Sequence, residues 1–344
     1  MSKKNHHYVP RFYLKRFSVN EDGKTIGLYN YNNNMFIQSA PIKHQASKDF
    51  LYGKEDDVET ELAKLESAMA KLFHFWTDEK ILLPPPHDSV AFTALKRFIL
   101  YQLFRTPKAG NDLLEQLNDV FQKLLPYFEP DKVKQFDGLK IYHEEATLLI
   151  LGQSGNKGYL LDYLDCKFIV NLSDLPFITS DSPVILYNQY MEKAGFYAGA
   201  TGLPVKGLQI FYPIHPRLMI CFYDSNVYRC GDSINCISTD NIDDIHQFNV
   251  MQYLNSESQL FFDETISKEY VEKCIVDVYK TKKVPSKSKN KIINTKDDRR
   301  FLLMCTEDFH IELELSFFKI ICGIENFEIA PLRHPSLERR ISAK

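Results

Sequence analysis

Tyr159-Leu160-Leu161-Asp162-Tyr163-Leu164-Asp165-Cys166-Lys167-Phe168-Ile169-Val170 divides the chain. Before this stretch, apolar residues recur every three or four positions. From it onward they come in short runs rich in β-branched and aromatic residues, with Pro, Gly and Asp-Ser between them. The first spacing fits helices that bury one face, and the second fits strands. The runs at 159–170, 177–186, 208–214 and 218–223 therefore predict a sheet.

Upstream, Val58, Leu62, Leu65, Met69, Leu72, Phe73 and Trp76 define a helix that the run Pro84-Pro85-Pro86 brings to an end. A second helix spans 89–105 and stops before Pro107, and two more are expected at 111–125 and 144–151. Nearer the start, a short helix led by Pro10 precedes a hairpin over 26–38. There Ile26, Leu28 and Tyr29 face Met35, Phe36 and Ile37 across an Asn32-Asn33-Asn34 turn. Downstream, helices at 241–254 and 269–279 precede strand-like runs at 301–305 and 311–321. Helices first, strands next and a mixture last predict an α+β fold, with a helix-rich N-terminal part packed on a mainly antiparallel sheet from the middle of the chain. The expected organisation is a main domain over 1–265 and a C-terminal extension over 266–344.

Composition narrows the class without naming a partner. The chain has 344 residues, 44% hydrophobic and 25% charged, with 42 Lys and Arg against 45 Asp and Glu, a net charge of −3. These values match soluble globular proteins and exclude disordered or fibrous classes. Seven scattered cysteines without a C-x-x-C pair argue against a disulfide framework or a zinc ribbon, and point to a reducing, cytoplasmic setting. The first 17 residues hold five Lys or Arg and no apolar core, unlike a signal peptide. No apolar run approaches the ~18 residues that span a bilayer, so no membrane partner is expected. One region is unbalanced: 280–300 holds nine Lys or Arg against two Asp. It reads as a solvated Lys-rich loop or as an arm that contacts the phosphates of a nucleic acid.

On helical wheels, polar residues fall inside apolar arcs. Gln102 lies among Leu95, Phe98 and Ile99, with Arg105 at the edge of that arc, and Glu66 flanks Phe73. On a later helix Asn249 lies within the arc of Ile242, Ile245 and Phe248, and Gln252 joins it. An unpartnered buried amide costs roughly 1–3 kcal/mol, so these groups should find each other or a ligand. One outcome is an internal network, for instance Glu66 with Arg105, that only fixes helix packing. The other is a site that these helices line, where Arg105 holds an anionic group through its fork of donors.

Asn5-His6-His7-Tyr8-Val9-Pro10-Arg11-Phe12-Tyr13-Leu14-Lys15-Arg16-Phe17 closely resembles the opening signature of domain-of-unknown-function family 4238. Three further segments are similar to that family in order: 46–52, which ends in an aromatic pair; Gln102, Arg105, Thr106 and Pro107, as Q-x-x-R-T-P; and 177–184, as F-x-x-S-D-x-P-V. Ser182 departs from the Asn that the family pattern has there. The resemblance covers roughly 5–262 and implies no activity.

The residue types nonetheless suggest chemistry. Pro10 suits a first helical position, which places His6 and His7 just before a helix N-terminus. Histidine, aspartate, glutamate and arginine together are what metal-assisted phosphoester cleavage requires: a cation lowers the pKa of a bound water while arginine balances phosphate charge. The expectation is a nuclease-like phosphodiesterase acting on nucleic acid or nucleotides. Its catalytic set is His6, His7, Glu66, Arg105 and Asp181. Mg or Mn is held by His7, Glu66 and Asp181, and Arg11, Gln102 and Asn249 bind ligand. In this reading Asp181→Ala abolishes activity and leaves the melting temperature nearly unchanged. The alternative is a non-catalytic protein that holds a small anion or a partner protein.

Other motifs fail on spacing. The glycines of 152–158 lack the Walker pattern, Thr147 stands where a zinc-protease helix beginning His143-Glu144 needs its second histidine, and neither G-x-S-x-G nor G-x-G-x-x-G occurs.

Overall fold

The computed structural model describes residues 5–53, 57–136, 138–154, 157–280, 287–288, 290–294, 300–303, 305–307, 309–327 and 329–342. The first half gives β1 (Asn5–His7), α1 (Arg11–Leu14), β2 (Thr25–Asn30), β3 (Met35–Pro41) and β4 (Ser47–Asp49). The helices α2 (Asp57–Thr77), α3 (Val90–Phe104), α4 (Pro107–Leu124), α5 (Pro130–Phe136) and α6 (Ala146–Ser154) follow. Next come β5 (Asp165–Asn171), β6 (Thr179–Ser180), β7 (Ile185–Tyr187), α7 (Gln189–Lys193), β8 (Gln209–His215), β9 (Leu218–Tyr223), β10 (Tyr228–Cys230) and β11 (Cys236–Thr239). Then α8 (Ile242–Asn255), β12 (Gln259–Phe262) and α9 (Lys268–Lys280) lead into the C-terminal part. The fold is α+β, as the order of helical and strand patterns implies.

Local chemistry sets several boundaries. Ser89 caps α3 by accepting from Phe92 N at 3.0 Å, and Thr106 caps α4 by accepting from Ala109 N at 3.2 Å with Pro107 at the first helical position. Thr106-Pro107 thus starts a helix as well as stopping one, and α4 begins four residues ahead of the expected 111. At the hairpin turn, Asn34 takes the left-handed conformation at φ 54°, and its side chain accepts from the Tyr29 hydroxyl.

β8 and β9 are buried along almost their whole length, without alternation. Such strands need cover on both faces. They lie in a five-stranded sheet of order β11-β5-β9-β8-β7, antiparallel except for the β11–β5 pair. Against one face, Phe168, Tyr212 and Phe222 meet Phe73, Trp76 and Phe98 of α2 and α3; the Trp76 and Phe168 rings lie 5.0 Å apart. Against the other, Phe211, Met219 and Tyr223 meet Ile245 and Phe248 of α8 and Cys274 and Val278 of α9. A second sheet, β3-β2-β12-β6, ties the N-terminal hairpin to the middle of the chain through β12. Gly27 sits opposite Phe262 in that pairing, where a Cβ would come within 2.3 Å of the Phe262 ring.

The C-terminal part belongs to the same core. Phe309, Ile311, Leu313, Leu315 and Phe318 are buried against the α8 face of the sheet, and the strand Phe318–Ile320 pairs with β10. The strand expected over 311–321 is confined to those three residues. Ahead of them, side chains stand in for a neighbouring strand: Glu192 accepts from Ile311 N, Glu312 N and Leu313 N, Gln247 from Glu314 N and Asp244 from Ser316 N. Of the Lys-rich 280–300, positions 281–286, 289 and 295–299 lie outside the described residues, and so does the question of a nucleic-acid arm there. Among the described residues no helix is long and apolar enough to cross a membrane.

Candidate functional site

β1 pairs with β4, setting His6 opposite Lys48 and His7 opposite Ser47. Successive strand residues face opposite ways. His6 is accordingly 1% exposed and stacks on Tyr52 at 5.3 Å, its Nδ1 accepting from Tyr52 N at 3.2 Å, whereas His7 is half-buried with Nδ1 3.1 Å from Gln45 O.

Arg105, at the C-terminal end of α3, is 1% exposed. Its Nη1 meets Glu66 Oε1 at 2.7 Å, Nη2 donates to His7 O at 2.5 Å and Nε to the Tyr52 hydroxyl at 3.1 Å. Burial works against the guanidinium charge, but Tyr52 and Glu66 outweigh it and hold the pKa above its ordinary value. Beside it, Gln102 Nε2 donates to Tyr8 O at 2.9 Å. The opening signature, the 46–52 segment and the Q-x-x-R-T-P helix end therefore meet in one buried network. Arg105, expected to grip an anion, instead spends its fork on α2, β1 and Tyr52.

Asp181 bonds to a different set of partners. Its Oδ1 accepts from Glu257 N at 2.8 Å, and Oδ2 accepts from Ser258 N at 2.8 Å, Ser258 Oγ at 3.0 Å and Gln259 N at 3.0 Å. The carboxylate thus closes the turn between α8 and β12. Burial pushes its pKa up to about 6, against these hydrogen bonds, which favour the charged form.

Asn249 is also apart from Arg105, accepting from Ile178 N at 2.9 Å and donating to Pro176 O at 3.0 Å and to the Tyr270 hydroxyl at 2.9 Å. Gln252 binds Ser180 Oγ and Pro183 O. The single polar cluster expected across three helices is split, because α3 and α8 pack against opposite faces of the central sheet. Arg11 is exposed on α1. Among the described residues no group of three His, Cys, Asp or Glu side chains is placed to hold a metal ion, so the ligand set of His7, Glu66 and Asp181 is not assembled.

What the fold does bring together is Gln102 and Ser182. Both line a cavity of ≈ 290 Å³ between the α3–α4 corner and the chain leading into β7, with Ile150 of α6 and Phe309 of the C-terminal part as further walls. Gln102 is 1% and Ser182 6% exposed, yet Gln102 Oε1 and Ser182 Oγ have no hydrogen-bond partner among the described residues. Since the Gln102 amide nitrogen is fixed by Tyr8 O, its unpaired atom is the acceptor. Ser182 itself is held by its backbone: its N–H donates to Ser180 Oγ at 3.2 Å and its carbonyl accepts from Asn255 Nδ2 at 2.5 Å. On the wall formed by α4, Lys108 pairs with Asp112 at 2.6 Å, so these two charges cancel. The remainder mixes apolar side chains, among them Leu103, Phe104, Val184 and Leu186, with the polar Thr106, Gln116, Thr201, Asn255 and Thr306.

Gln102 is visible in sequence as an amide inside an apolar arc. Ser182 is not: in Thr179-Ser180-Asp181-Ser182-Pro183 the carboxylate draws the eye, and an unpaired hydroxyl has no sequence mark. A sequence model of one family, described as a protein of unknown function (DUF4238), matches residues 5–265. No curated protein and no solved structure matches the chain.

Proposed function

The chain belongs to the DUF4238 family, within whose span both Gln102 and Ser182 lie, and from that premise we propose that the protein is a small-molecule binding protein whose site is the cavity these two residues line. The observation that carries the reading is a cavity of ≈ 290 Å³ walled in part by two residues that each hold a buried side-chain oxygen without a hydrogen-bond partner among the described residues. Each unmade hydrogen bond costs roughly 1–3 kcal/mol. The cavity is at the small end of ligand-binding clefts, ~300–1,000 Å³, and its walls mix apolar residues with polar and charged ones.

Metal-assisted phosphodiester cleavage fits this arrangement less well. Glu66, Arg105 and Asp181, expected to carry it, are committed to internal bonds. Binding also outranks an anion site at Arg105, whose charge is answered by Glu66.

Ser182→Ala tests the reading without a ligand. Removing an unsatisfied hydroxyl should raise stability by about 1–2 kcal/mol in urea unfolding. A drop in stability would mean that the hydroxyl serves the fold and is not kept for a ligand.

A further inference from the structure

Resting on that binding reading, we infer that Phe309 sets which molecules the cavity admits: its ring closes the cavity against a second, smaller hollow, so that an amphiphile with a short apolar tail fits and a longer one does not. Every wall but two comes from residues 102–255, inside the family match, whereas Thr306 and Phe309 come from beyond it. The second hollow, of ≈ 10 Å³, is bounded by Tyr187, Glu192, Tyr197 and His310, and Phe309 and Thr201 are the two residues that border both spaces. Its volume gives room for about one water. Phe309 is buried, with its ring 6.0 Å from that of Tyr187 on the side of the small hollow, and so stands as the partition.

The partition is held on both sides along the chain. Before it, Gly199 N donates to Thr306 O at 2.7 Å; after it, Ile311 N reaches the Tyr187 hydroxyl at 2.9 Å and Glu192 Oε1 at 3.0 Å. A ring between two such anchors yields only if backbone hydrogen bonds break. The wall formed by α4 is the wet one, since the Lys108 and Asp112 side chains reach solvent there, and with Thr106 and Gln116 it suits a hydroxyl or another polar head. Leu103, Phe104, Val184 and Leu186 then contact the tail. Each added CH2 gains burial until the tail meets Phe309.

Straight-chain 1-alkanols from butanol to decanol, titrated into the full-length protein and followed by calorimetry and ligand-observed NMR, read this length directly. In the parent, affinity should rise about four-fold per added CH2 and then level off at a cut-off. Phe309→Ala should move the cut-off up by about three carbons, and Phe309→Leu, which serves if the alanine variant fails to fold, by about one. Phe318→Ala removes a ring from the same segment and the same core without bordering either hollow, and should leave the cut-off where it is.

A parent series that rises without a cut-off, or a cut-off unmoved in both Phe309 variants, would overturn Phe309 as the limit and leave the cavity a binding site. A cut-off that moves equally in Phe318→Ala would overturn it as well, by showing that loss of any ring from this core lengthens the site. Absence of binding by every alkanol would overturn the binding reading itself, and the limit with it.

Discussion

Asp181→Asn preserves the shape of a side chain that receives four hydrogen bonds and removes one of its two acceptor oxygens. In the better of the two amide orientations, the oxygen keeps Ser258 N, Ser258 Oγ and Gln259 N, and the new NH2 turns toward Glu257 N. That leaves one buried donor opposed by another, at about 1–3 kcal/mol, and turns three charge-assisted bonds into neutral ones, at about 0.5–1 kcal/mol each. Removing a buried charge returns part of this, since burial already lifts the carboxyl to about 6. The net loss is about 2–4 kcal/mol. With an unfolding entropy of ~2.1 cal/mol/K per residue over 344 residues, it lowers the melting temperature by about 3–6 °C. Calorimetry gives the shift, and hydrogen exchange should show the amides of Glu257, Ser258 and Gln259 losing protection while β9 keeps its own. A variant that melts within about 1 °C of the parent would refute the assignment of Asp181 to the α8–β12 turn and return it to the role of a residue held for chemistry.

Arg105→Lys keeps the charge but cannot reach Glu66, His7 O and Tyr52 together, and should cost about 2–3 kcal/mol in urea unfolding. Glu66→Gln, at a position a quarter exposed, should cost only about 1 kcal/mol. Between pH 4 and 6.5 two groups act in opposite senses. Burial and the neighbouring Arg16 lower the His215 pKa to about 4, so the unfolded chain takes up that proton first and this contribution is lost as pH falls from 6.5. Asp181, raised to about 6, gains its proton first in the folded state and adds stability as pH falls. His215→Gln should therefore become more stable relative to the parent by about 1–3 kcal/mol on going from pH 6.5 to 4, measured by urea midpoints at each pH. Glu192→Gln should raise amide exchange at Ile311, Glu312 and Leu313 by ten-fold or more, with β8 unaffected, because the Glu192 carboxylate accepts from all three N–H groups.

Periodicity reveals which side of an element is buried but not what covers it. That is why α2, α3, the hairpin and β9 are legible from spacing alone, and why Gln102 stands out as a buried amide. The Glu66–Arg105 pair is one of the two outcomes the wheels allow. Asn249 shows where that reasoning stops: its place in an apolar arc is correct, but a wheel carries no information on which face of a sheet its helix will cover. Asp181 bonds to residues 76 to 78 positions away, a separation at which no local pattern operates. The alternation of Ile311, Leu313 and Leu315 correctly marks burial and wrongly implies a ladder, since Glu192, Gln247 and Asp244 take the place of a neighbouring strand. Ser182 is invisible because its distinguishing property is a bond that is not made.

The segment held by those three side chains also separates similarity from foldability. The family match stops at 265, yet the cover over Phe211, Met219 and Tyr223 is shared between α8, inside the match, and Cys274, Val278 and residues 309–318, beyond it. A polypeptide cut at 265 would keep every motif, Gln102, Ser182 and α8, but would strip α9 and the 309–318 segment from an apolar sheet face that α8 alone would then cover, and would lose the Phe309 wall of the cavity. Such a fragment should aggregate before it could be assayed. The apolar core of this chain thus runs past the length over which it matches its family.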